Sequence, residues 1–95
     1  MAEGRYKIFE TRQHSSDLER LDASVVSQIR QKLQSYVYPQ LREEPHVGLN
    51  IRKLKDWTPE MWRYRIGQWR FFYEIDEKEK RVYMTVISHR REACR

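Results

Sequence analysis

Between Trp62 and Ile75 the chain alternates large apolar and mostly charged residues, with one break at Gly67-Gln68. Strand side chains point to opposite faces with period two. Trp62, Tyr64 and Ile66 therefore share one face, and Arg63 and Arg65 the other. After the break, Trp69, Phe71, Tyr73 and Ile75 form an apolar row, with Arg70, Phe72 and Glu74 opposite. Two such runs around a glycine-containing turn predict a β-hairpin. Tyr6 to Phe9 predicts a short first strand. Ser16-Asp17-Leu18-Glu19 fits a capping box that would start a helix. Asp22 can cap a second helix, because Val25, Val26, Ile29 and Leu33 follow at helical spacing. Pro39 should kink or restart that helix, since it has no amide proton to donate. Leu41 sits on a last turn that ends before Pro45.

Pro45 to Asn50 is expected to be a loop, and so are the basic segment that follows and Asp56 to Met61. Arg81 to Ser88 is the last strand. Taken at period two, Val82, Met84 and Val86 fall on one face and Tyr83 and Ile87 on the other. A strand apolar on both faces is normally central. His89 should then leave the sheet. The predicted order is β-α-α-β-β-β, an α+β fold with a two-helix hairpin on one face of a small, mostly antiparallel sheet. The helices need the aromatic rows of the hairpin. Covering that face leaves Arg63, Arg65 and Arg70 together on the other.

The chain has 95 residues, which suits a single domain over residues 1–95. Its net charge of +5 suits a polyanionic or acidic partner, although small basic domains also occur without one. Cys94 is the single cysteine, so no internal disulfide can form. With no signal peptide and no long apolar run, a cytoplasmic protein without a membrane partner is expected. His14, His46 and His89 are too far apart in sequence to suggest a metal site, and three glycines supply no phosphate-binding loop. No metal or other cofactor is expected.

A face of arginines suits phosphate, because guanidinium is a flat, permanently charged fork of donors. Cutting RNA without a metal needs few further parts. A base removes the 2′-OH proton, cations hold the charge of the pentacoordinate phosphorus, and an acid protonates the leaving 5′-oxygen. His89 is the candidate base if the last strand pairs with the hairpin and if neighbouring arginines keep its imidazole neutral. Its plainer role is that of a strand-end residue. Arg52, Lys53 and Lys55 precede the hairpin and could position a nucleic-acid backbone without reading sequence, or form a solvated loop. Most of the aromatics are explained as core. Trp57 is the one in a loop with no evident core role.

Three segments together resemble the RelE/ParE superfamily of bacterial and archaeal toxins. They are Asn50-Ile51-Arg52-Lys53-Leu54-Lys55, the hairpin from Trp62 to Ile75, and Ile87-Ser88-His89-Arg90-Arg91-Glu92-Ala93. The resemblance spans nearly the whole chain. It implies the toxin of a type II toxin–antitoxin system. In the RelE branch such a toxin is a metal-independent endoribonuclease that cuts mRNA in the ribosomal A site. By position it implies that Arg65 and Arg70 bind the scissile phosphate and Arg63 helps to position it. It further implies that His89 serves as base or proton shuttle and Arg90 adds a phosphate contact. Many members carry a tyrosine shortly after the His-Arg pair, and Cys94 takes that position here. The ParE branch instead inhibits DNA gyrase without this catalytic set, and a catalytically weakened toxin that still binds its antitoxin is a further alternative. The partners implied are the ribosome with its mRNA and a cognate antitoxin with a flexible, often acidic segment. Operator DNA would be contacted only through the antitoxin.

Overall fold

A computed structural model describes residues 5–89. Strand β1 (Lys7–Glu10) leads into helices α1 (Arg12–Glu19), α2 (Ala23–Lys32) and α3 (Tyr38–Glu43), and then into β2 (Ile51–Lys53), β3 (Trp62–Ile66), β4 (Trp69–Asp76) and β5 (Arg81–His89). The strands form one sheet in the order β1-β5-β4-β3-β2. β1 runs parallel to β5, and every other pair is antiparallel. The α+β architecture is the expected one, and β5 is central as its two apolar faces required.

Three local expectations change. The predicted loop at Ile51–Lys53 is an edge strand paired with β3, so the sheet has five strands. α1 is capped by Thr11, not Ser16. The Thr11 hydroxyl accepts from the His14 backbone amide at 3.3 Å and donates to the Met84 carbonyl at 2.7 Å. Anchoring to β5 thus starts the helix earlier, and Ser16 and Glu19 lie within it. Asp22 stands at the cap position of α2 without a side-chain capping bond. Pro39 does restart the helix. A π-helical turn over Leu33–Val37 separates α2 from α3, with the Tyr38 amide bonded to the Leu33 carbonyl and Pro39 in the first turn of α3. Widening by one residue accommodates a proline that cannot join an ordinary helical ladder.

The core lies between helices and sheet. Leu18, Ile29, Leu33, Val37, Tyr38 and Leu41 meet Tyr64, Phe71, Tyr73, Val82, Met84 and Ile87, all buried. Trp62, Ile66, Trp69 and Ile75 pack at the margin. The aromatic rows of the hairpin face the helices, as expected.

β5 departs from simple alternation. Tyr73 pairs with Met84 and Phe72 with Val86, which leaves Thr85 as an extra residue in a β-bulge. One inserted residue reverses the facing of everything beyond it. Val86 therefore turns to the open face and Ile87 into the core, opposite to the period-two assignment. The Asp17 carboxylate of α1 accepts from the Ile87 amide at 2.9 Å and secures this stretch where β1 has ended.

Candidate functional site

The open sheet face carries two rungs of arginine. Arg52 on β2 lies directly opposite Arg63 on β3, and Arg65 on β3 directly opposite Arg70 on β4. Directly opposed residues share a face, and diagonal neighbours remain within reach of long side chains. The hairpin turn holds the second rung in register. Gly67 takes φ 57° at the first turn position, a left-handed conformation that favours glycine. Arg65 Nε reaches the Gly67 carbonyl at 3.4 Å. The structure thus brings together Arg63, Arg65 and Arg70, and adds Arg52 through the unexpected strand β2.

No carboxylate among the described residues forms an ion pair with these four. Arg63 and Arg70 are half-buried, and two of their donors, Arg63 Nε and Arg70 Nη1, are buried without an acceptor. Buried donors without partners are costly and normally rare. Burial, then the charges of Arg70, Arg52 and Arg65, push the Arg63 guanidinium below its ordinary pKa. The floor is an unneutralised cationic surface with donors ready for an anion. A shallow depression of about 490 Å³ opens over it, bordered by Arg52, Arg63 and Arg65 together with Leu49 and Asn50. Among the described residues, no group of His, Cys, Asp and Glu could hold a metal ion.

The sequence of this chain matches the family described as ParE toxin of type II toxin–antitoxin system, parDE, over residues 8–93. The chain belongs to this toxin family. No curated protein matches it. Its fold is that of RelE-like toxins. A chain of the toxin–antitoxin complex RelBE2 from Mycobacterium tuberculosis superposes with a TM-score of 0.69 at 20% identity, over 90% of this chain and 99% of that one. A free Escherichia coli RelE mutant gives 0.63 at 17% identity, over 90% and 83%. Staphylococcus aureus YoeB, a dimer, gives 0.59 at 21%, over 90% and 97%.

The other anticipated site residues of the toxin divide. His89 is placed off the arginine face. β5 does pair with the hairpin, but His89 stands opposite Trp69, whose face is that of the buried Phe71 and Tyr73. The His89 and Trp69 rings meet edge-on at 4.9 Å, and His89 lines a small cleft with Asp17, Arg20 and Leu21. The bulge at Thr85 is the cause. Without it, His89 would share the arginine face. The residue it brings there instead is Ser88, opposite Arg70, which the alternation pattern had no means to reveal.

Lys53 is placed likewise. Its register partner is Trp62, on the helix side, and its ammonium pairs with Glu60 at 3.0 Å. Lys55 follows β2 in a turn and borders a depression shared with Arg52 and Arg63. Arg90 and Cys94 lie outside the described residues. No helix among the described residues is long and apolar enough to cross a membrane.

Proposed function

We propose that this toxin holds an mRNA backbone on its arginine floor and cleaves it on the ribosome, without a metal. The observation that carries this is the pair of rungs with two buried donors lacking acceptors. Arg65 and Arg70 hold the scissile phosphate, and Arg63 positions it. Arg90 adds a contact from the end of the chain. Arg52 and Lys55 hold the neighbouring backbone. In the reaction the ribose 2′-oxygen bonds to phosphorus, the bond to the 5′-oxygen breaks, and a 2′,3′-cyclic phosphate and a 5′-hydroxyl result. The guanidinium groups stabilise the extra charge of the pentacoordinate state, a contribution that grows where water is excluded. The leaving 5′-oxygen takes a proton from solvent or from the ribosomal complex as it departs. No histidine lies on this face among the described residues, so a group of the ribosomal complex takes the 2′-OH proton. Such a division of labour accounts for a nuclease that acts only on ribosome-bound message.

The same face suits the acidic, flexible segment of a cognate antitoxin, which would cover the arginines and silence the site. Mapping RNA 5′ ends after brief induction tests the proposal. Cuts within ribosome-occupied codons are expected, and Arg65→Ala should abolish them while the protein stays folded. Growth arrest that survives Arg65→Ala and Arg70→Ala would overturn the assignment.

A second reading, inhibition of DNA gyrase, is favoured by the match to the ParE family and by the placement of His89 away from the arginines. Loss of supercoiling activity with intact mRNA would select it. If neither activity is found, the chain is a weakened toxin that retains antitoxin binding, and Cys94→Tyr should then restore toxicity.

A further inference from the structure

We infer that Trp57 is a stacking platform for one base of the bound strand, at the end of a continuous cationic track. This rests on the RNA-backbone reading above and extends it beyond the arginine floor. Three depressions adjoin along the β2 edge. The first, over Arg65, shares Arg52 and Arg63 with a second of about 460 Å³. The second shares Lys53 and Lys55 with a third of about 580 Å³, and the third reaches Trp57.

Trp57 differs from the other two tryptophans. Trp62 and Trp69 pack against the core, whereas Trp57 is 55% exposed. It makes no hydrogen bond or ring contact with any described residue. A large apolar ring kept in solvent next to a cationic groove invites a planar ligand. The charge also changes along the track. Around the floor it is purely cationic, but Asp56 and Glu60 border the depression at Trp57, with Glu60 already paired to Lys53. Phosphate is favoured at the arginine end and disfavoured beside Asp56. An uncharged nucleobase fits there, and stacking tolerates any base because each has a π-face.

The test measures anisotropy of two end-labelled strands with the full chain. One is a short oligoadenylate, and the other has the same ribose-phosphate backbone without bases. Wild type should bind the oligoadenylate more tightly. Trp57→Ala should weaken that binding about ten-fold and leave the abasic strand unchanged. Trp57→Phe should keep most of the affinity. Arg63→Ala should weaken both strands. Unchanged oligoadenylate binding by Trp57→Ala, or equal loss on both strands, would overturn the stacking role. Trp57→Ala that keeps RNA binding but loses growth arrest would assign the ring to a protein target and overturn it too. If Arg63→Ala weakens neither strand, the RNA-backbone reading fails, whatever Trp57 does.

Discussion

The arginine floor and the charged clusters on the helix side of the same sheet follow opposite rules. On the helix side two clusters of charged groups are paired internally. Glu10 accepts from Arg30 at 2.8 Å and from the Tyr38 hydroxyl, beside the fully buried His14. Glu44 and Glu77 hold the two ring nitrogens of His46, and Glu77 also accepts from Tyr6 at 2.9 Å. These clusters tie β1 to α2 and α3, and the loop after α3 to the turn before β5. On the open face four arginines stand close together with no carboxylate paired to any of them. Charges that serve the fold are neutralised within it, because an unpaired buried charge costs stability. Charges left unneutralised, with buried donors lacking acceptors, await something from outside.

The largest expected effect falls on activity. Arg65→Ala or Arg70→Ala should lower mRNA cleavage by about 10²–10³-fold, as removal of a transition-state donor does elsewhere, with the urea midpoint unchanged. A large fall in that midpoint would place these arginines among the structural charges. Next in size is Glu10→Ala, which strips partners from Tyr38 and Arg30. It should cost about 1–3 kcal/mol in urea denaturation and leave RNA binding intact.

A smaller effect depends on pH. Burial alone would lower the His46 pKa, but bonds to Glu77 and Glu44 and their charges outweigh it and raise it. The folded state then holds a proton that the unfolded chain releases near pH ~6.5. This contribution is complete below that value and is lost as pH rises through the folded pKa. Glu44 is held low, chiefly by the His46 backbone amide and then its ring, and Glu77 chiefly by the His46 ring. Their contributions are complete above about pH 4.5 and are lost as pH falls through their folded values. His14 has the opposite sense to His46. Burial lowers its pKa against the pull of Glu10, so its contribution is lost as pH falls below ~6.5. His46→Gln should therefore remove the stability loss that wild type shows as pH rises above ~6.5 and leave the His14 part in place. Identical pH profiles for the two proteins would refute the cluster's role. The smallest effect is expected from Arg63→Gln, which relieves crowding of like charge. It should leave the melting temperature unchanged or raise it slightly, and lessen the gain from added salt.

Much of this arrangement was legible from residues alone. Alternation from Trp62 to Ile75 is local and strong, and burial of an aromatic row leaves one facing for Arg63, Arg65 and Arg70. Other features were not legible because long-range partners set them. Thr11 caps α1 because its hydroxyl also meets the Met84 carbonyl, 73 positions away. Ile51–Lys53 is a strand because β3 offers an unpaired edge, and this is what sets Arg52 beside Arg63.

Residue pattern alone accounts for the hairpin, the helical pair, the covered aromatic face and the cationic character of the other. Each follows from side-chain periodicity and from the need to bury apolar surface once. Which neighbours the arginines keep was set by long-range strand pairing. A single extra residue at Thr85 leaves no mark in composition or spacing, yet it reverses the facing of the strand beyond it. Ser88 thereby joins the arginine floor, and His89 faces Trp69 on the helix side.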